Sequence, residues 1–180
     1  MGRVVLDTSF SSHDAEELWA SLTTEEARRL AGLLLYQAAA VDPGAPEAPG
    51  VVEVLPVAGD AYAIRIRGHE LTVDQPLTDG GKDTAPTPVE LFVAAVASCA
   101  AHYAGRFLGA GRAGLRVRAQ FRMAADRPAR VASLSLTVVA PQLPTERPAA
   151  LRAVVSHCTV TNSMASPPEM ELRVSRDGGV

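Results

Sequence analysis

The sequence predicts an α+β domain in which antiparallel sheets pack around one long, buried central helix, behind an N-terminal helical extension. Three observations carry that expectation. Residues 87–108 are apolar on nearly every side of a helix, and such a helix needs protein around its whole circumference. Short segments on both sides of it alternate apolar and polar residues and are separated by turn residues, as strands do. Residues 1–49 instead keep helical spacing and end in a Pro/Gly-rich stretch, so the division expected is an extension with its linker (1–49) and one domain (50–180). Strands and helices in separate runs point to α+β rather than a regular βαβ alternation.

In chain order, residues 12–19 (SHDAEELW) suggest a short capped helix, and Thr23-Thr24-Glu25-Glu26 is a T-x-x-E capping box opening a longer one through about Ala40. Ala27, Leu30, Ala31, Leu34 and Ala38 follow its helical spacing. Residues 42–50 form the linker. VVEVLPV, AYAIRIR and HELTVD are then expected to make an antiparallel meander, with Tyr62, Ile64 and Ile66 on its covered face. Residues 75–86 form a loop marked by Gly80-Gly81. Thr87 caps the central helix, Pro88 fits its first position and Glu90 closes a second T-x-x-E box. Gly109-Ala110-Gly111 ends it. Two more alternating runs, 115–123 and 131–140, are expected to pair. A helix from Pro144 carries Leu151, Val154 and Val155 toward Cys158, and EMELRVS supplies a last strand.

Composition excludes several function classes. The 180 residues are 47% hydrophobic and 21% charged, with a net charge of −3 and a pI near 5.8, which argues against a nucleic-acid or anionic-membrane partner. No uninterrupted apolar run approaches the ~20 residues of a membrane span, and the opening residues lack the pattern of a signal peptide. A cytoplasmic protein is expected. Two cysteines in a reducing compartment point to reactivity, metal binding or burial rather than a structural disulfide.

Those cysteines, Cys99 and Cys158, stand 59 residues apart on or at the end of two different expected helices, with no C-x-x-C between them. Helical spacing puts His102 and Tyr103 a turn beyond Cys99, with Arg106 further on; a nearby cation raises a thiol's thiolate fraction. Cys99 with His102 could serve a Cys–His acyl transferase or hydrolase. Cys99, His102, His157 and Cys158 have the ligand types of a metal site, and inert core filling fits a buried cysteine equally. His69 and Asp74 read as strand-end residues.

Taken together, Gly80-Gly81, the run from Thr87-Pro88-Val89-Glu90-Leu91 to Ala97-Ser98-Cys99, the segment Gly68 to Pro76, and Ser156-His157-Cys158-Thr159-Val160-Thr161-Asn162-Ser163 resemble the OsmC/Ohr family over about residues 55–175. The resemblance implies an OsmC-like fold and an intertwined homodimer with active sites at its interface. It also implies a thiol-dependent peroxidase acting on organic hydroperoxides, with no cofactor and no metal. In that scheme Cys99 attacks the hydroperoxide and becomes a sulfenic acid, Cys158 closes a disulfide with it, and a lipoyl-type dithiol restores the pair. The hydroperoxide-reducing branch usually carries a carboxylate ten residues before the reactive cysteine, paired with an arginine. Here Val89 holds that position and the carboxylate, Glu90, comes one residue later, about 100° around the helix. Arg65 and Arg67 are the nearest candidates for the arginine. The chain therefore resembles a divergent branch, with catalytic candidates Cys99, Cys158 and Glu90. A non-catalytic or redox-sensing protein that binds an apolar small molecule at the dimer interface is the alternative.

Overall fold

A computed structural model of the chain describes residues 3–7, 19–41 and 50–176. The chain divides into two compact units, Met1–Val73 and Asp74–Val180. The first holds two antiparallel sheets and a helix. Strands β1 (Val4–Asp7) and β2 (Trp19–Leu22) pair with each other. Helix α1 (Thr24–Val41) follows, opened by the expected box: the Thr23 amide and hydroxyl donate to Glu26 Oε2 at 2.7 and 2.9 Å, and the Glu26 amide donates back to Thr23 Oγ1 at 3.2 Å. Its Leu33, Leu34, Leu35 and Tyr36 are exposed. The helix expected over residues 12–19 falls outside the described residues, except that Trp19 begins β2; the linker 42–49 lies outside them as well.

The expected meander is present as β3 (Glu53–Ala58), β4 (Ala61–Ile66) and β5 (His69–Val73), in that order and all antiparallel. Its faces differ from expectation. Ala63 is buried while Tyr62 on the opposite face is exposed, and Ile64 and Ile66 are half-buried. Alternation identifies two faces, but it does not by itself decide which is covered.

The second unit is built on α2 (Pro88–Leu108). Strands β6 (Arg116–Met123) and β7 (Val131–Val139) form an antiparallel hairpin that packs on it, together with α3 (Pro148–Ser156) and α4 (Thr159–Ala165). The second unit is thus a sheet and two short helices laid against one long helix.

Three expectations need correction here. The helix expected from Pro144 begins at Pro148; it ends at Ser156, near Cys158 as expected, and a further short helix, α4, follows. Residues 169–175, where a last strand was expected, make no strand pairing among the described residues; Met170, Leu172 and Val174 are 93%, 86% and 90% exposed. Alternation gives a segment the pattern of a strand, but only a neighbouring edge gives it the hydrogen bonds. Finally, α2 is covered on one face, by Val93, Val96, Ala100 and Ala104, while Phe92, Ala94, Ala95, Ser98 and His102 remain exposed. By length and mean hydropathy (1.4) the helical stretch Pro88–Arg112 falls in the range of a membrane span, a test that the core helix of a globular domain also passes. Counting uninterrupted apolar residues missed this because His102 and Arg106 break the run.

Candidate functional site

The chain enters α2 through a loop held by a buried carboxylate. Asp74, 2% exposed, accepts from the amides of Gln75 (2.8 Å), Lys82 (3.2 Å) and Thr84 (3.0 Å) and from the Thr84 hydroxyl (2.7 Å). The Thr84 amide and then its hydroxyl do most to hold the carboxyl at about 2, below its usual 3.8; burial opposes them, and the Gln75 and Lys82 amides add to the lowering. The same loop leaves no room at Gly81, where a Cβ would lie 1.9 Å from the Gln75 carbonyl oxygen. Asp74 is therefore the anchor of this loop and more than a strand-end residue.

Thr87 then caps α2. Its amide and hydroxyl donate to Glu90 Oε2 at 2.8 and 3.0 Å, and the Glu90 amide donates to Thr87 Oγ1 at 3.2 Å. The Glu90 carboxylate is thus engaged at the helix start. Three turns on, Cys99 is half-buried, one residue before Ala100 on the covered face.

Cys158 reaches the same place from the other side. Leu151 is buried on α3, which packs against α2. The Arg147 guanidinium lies 4.3 Å from the centre of the Phe107 ring, tying the start of α3 to the end of α2. The break after Ser156 leaves Cys158 in an extended conformation (φ −67°, ψ 148°) as the N-cap of α4. Its sulfur does what an oxygen does at most N-caps: it accepts from the Thr161 amide at 3.4 Å. The Thr161 hydroxyl lies 2.9 Å from the same sulfur, and the Cys99 thiol and the Val160 amide also favour its charged form. The side chain is fully buried. Burial pushes the Cys158 thiol up, but the Thr161 hydroxyl and amide, Cys99 and the Val160 amide together outweigh it, so the thiol ends below its ordinary pKa. Both cysteines are free thiols. Cys99 is thus among the groups that lower the Cys158 pKa.

The other candidates scatter. His102 and Arg106 line an open cleft of about 900 Å³ with Ser98, Ala101, Gly105 and Arg112, and Cys99 is not part of its lining. Tyr103 hydrogen-bonds through its hydroxyl to Thr159 Oγ1 at 3.1 Å, joining α2 to α4. His157 is turned onto the Ala153 carbonyl, 2.7 Å from Nδ1. Among the described residues no three His, Cys, Asp or Glu side chains gather to hold a metal ion. Arg65 pairs with Glu70 at 3.1 Å on an exposed strand face, and Arg67 sits in the β4–β5 turn with φ 55°. Among the described residues the ion pairs are Arg65–Glu70, Arg130–Asp126 and Arg173–Glu171; none includes Glu90. A second cavity, of about 500 Å³, is lined by Leu136, Val138, Leu143, Leu151 and Val155 and reaches Thr161.

The profile of the OsmC-like protein family matches residues 80–173, just over half of the chain and the part that carries both cysteines. This chain belongs to the OsmC family. Solved structures agree on the OsmC-like fold. A protein of Psychrobacter arcticus described as an osmotic stress induced and detoxification response protein superposes with a TM-score of 0.58 at 22% identity, over 66% of this chain and 90% of its own. An organic hydroperoxide resistance protein OsmC of Legionella pneumophila gives a TM-score of 0.50 at 17% identity, over 66% of this chain and 91% of its own. No curated protein matches the chain significantly. Within the family motif around Cys158, sequence reasoning passed over Thr161. The signal was there: Cys158-Thr159-Val160-Thr161 has the spacing of a capping box, with sulfur where a Ser or Thr oxygen usually stands.

Proposed function

We propose that this OsmC-family chain is a thiol-dependent peroxidase that reduces organic hydroperoxides. The observation that carries the reading is a pair of free thiols on packed elements, half-buried Cys99 on α2 and fully buried Cys158 at the N-cap of α4, with Cys99 among the groups that lower the Cys158 pKa. The Cys99 thiolate attacks the terminal oxygen of ROOH; an S–O bond forms, the O–O bond breaks, and the alkoxide leaves and takes a proton to become the alcohol. Cys99 is then a sulfenic acid. The Cys158 thiolate attacks that sulfur, displacing hydroxide that leaves as water, and a Cys99–Cys158 disulfide remains. An external dithiol, lipoyl-type by family resemblance, supplies the two electrons that restore both thiols. No cofactor takes part.

Two features support an apolar substrate and a homodimer. The cavity lined by Leu136, Val138, Leu143, Leu151 and Val155 also includes Arg152, Ser156 and Thr161, whose hydroxyl lies beside the Cys158 sulfur, and its apolar walls suit an alkyl or aryl tail. The Legionella protein that shares the fold is an organic hydroperoxide resistance protein, and proteins of this family are typically homodimers. The open face of α2, with Ala94, Ala95, Ser98 and Ala101, is the face a second copy would cover. Glu90 serves as the capping residue of α2.

Purified protein given cumene hydroperoxide and a dithiol should consume both. Cys99→Ser should abolish turnover, and Cys158→Ser should stop after the sulfenic acid forms. Turnover that survives in Cys99→Ser would overturn the scheme. One observation favours the redox-sensing alternative: among the described residues no arginine–carboxylate ion pair involves Glu90. Wild-type protein that forms the disulfide but shows no turnover would select that reading.

A further inference from the structure

We propose that Thr161 is a positioning residue for Cys158: its hydroxyl and amide hold the sulfur in place and favour its thiolate form. The inference rests on the thiol chemistry proposed above and assigns a role within it to a residue outside the cysteine pair. Three geometric facts carry it. Thr161 Oγ1 lies 2.9 Å from Cys158 Sγ and the Thr161 amide donates to the same sulfur at 3.4 Å, so one residue supplies two bonds. The sulfur is fully buried, so water cannot replace either bond. Thr161 also lines the cavity of Leu136, Val138, Leu143, Leu151 and Val155, so one residue meets both the cavity and the sulfur.

A hydroxyl beside a thiol can donate or accept; beside a thiolate it can only donate. Hydrogen bonds donated to the charged form favour that form, in accord with the lowered pKa of this thiol. The other titratable groups on the elements that meet Cys158 are few. They are Glu90, Cys99, His102, Tyr103 and Arg106 on α2, Arg152 on α3 and His157 at its end; α4 carries none. Of these only Cys99 is among the groups that shift the Cys158 thiol. Glu90 is held by Thr87, Tyr103 by Thr159 and His157 by the Ala153 carbonyl. Thr161 is thus the main neighbour opposing the burial cost.

The consequence falls on two steps. Cys158 attacks the Cys99 sulfenic acid as a thiolate, forming S–S as hydroxide leaves. When the dithiol attacks the Cys99 sulfur of the disulfide, the S–S bond breaks and Cys158 leaves as a thiolate. Both steps quicken when the charge on Cys158 is stabilised, whereas the first attack on the hydroperoxide by Cys99 does not depend on it.

The test uses Thr161→Val, which removes the hydroxyl and keeps the shape, and Thr161→Ser, which restores it. Thiolate absorbance in the ultraviolet is followed against pH in full-length reduced protein, with Cys158→Ser identifying the Cys158 component. Thr161→Val should raise the Cys158 midpoint by about one unit, a roughly tenfold loss of thiolate below it, and slow disulfide formation from the sulfenic acid. Thr161→Ser should return both toward wild type. Thr161→Ala gives the same readout should valine perturb the fold. An unchanged midpoint in folded Thr161→Val or Thr161→Ala protein overturns the inference. Absence of hydroperoxide turnover in the wild type would defeat the peroxidase reading alone, because the titration needs no turnover.

Discussion

Gly81→Ala places a methyl group where the structure has main chain. The new Cβ would sit 1.9 Å from the carbonyl oxygen of Gln75, 2.4 Å from its carbonyl carbon and 2.7 Å from its Cα. No side chain can swing away to relieve this, so the loop itself must open. Opening it breaks two neutral main-chain bonds, Gly81 amide to Pro76 carbonyl (3.2 Å) and Asp83 amide to Gln75 carbonyl (3.0 Å). It also pulls the Lys82 and Thr84 amides from Asp74. At about 1 kcal/mol each, the two neutral bonds alone cost about 2 kcal/mol, which for a chain of this size lowers Tm by about 4–8 °C. The losses at Asp74 add to that figure, so it is a lower bound. Thermal unfolding followed by circular dichroism measures the shift. Gly32→Ala is the control: its Cβ would meet nothing within 4 Å in the middle of α1, and its Tm should be unchanged or higher. A Gly81→Ala protein melting with the wild type would refute the close approach at Gln75.

The Asp74 carboxyl is lowered in the folded chain, from 3.8 to about 2. Its contribution to stability is therefore full above the unfolded value and lost as pH falls from there through about 2. Asp74→Asn should flatten the acid limb of the stability curve across that window and leave its neutral limb parallel to wild type; an acid limb as steep as wild type's would count against the anchor. Leu151→Ala removes a buried side chain that seats α3 against α2, and should cost about 2–5 kcal/mol in denaturant unfolding. It should also make Cys158, now fully buried, react faster with alkylating reagents in the native protein. Thr87→Ala deletes one half of the capping box at the head of α2 and should cost about 1 kcal/mol, read as a small fall in Tm.

Local signals were the most legible in the sequence. Both T-x-x-E boxes form with nearly the same geometry, because a capping box is closed by residues three apart and needs no distant partner. The meander and the β6–β7 hairpin were visible for the same reason, since alternation and turn residues are short-range properties. What failed depended on neighbours. The pattern at Met170, Leu172 and Val174 is a strand pattern, yet no strand edge among the described residues receives it. Apolar residues all round α2 implied complete cover, and the chain supplies only half. At the site, family resemblance singled out the two cysteines, but no spacing rule could show that Thr161 holds the Cys158 sulfur. The end of α3 near Cys158 was legible, but the further helix that Cys158 caps was not, because sulfur was not considered as a helix cap.

That cap has a consequence for the oxidised protein. In a Cys99–Cys158 disulfide the sulfur carries no negative charge and is a poor acceptor, so the first turn of α4 loses the partner that its Val160 and Thr161 amides hold in the reduced chain. Oxidation would uncap a helix as well as join two residues. The free energy of that small unwinding favours the dithiol, making the disulfide a stronger oxidant toward its reductant than an uncoupled pair. The same unwinding would leave α4 as a local marker of redox state, its amides exchanging hydrogen faster when the bond is closed.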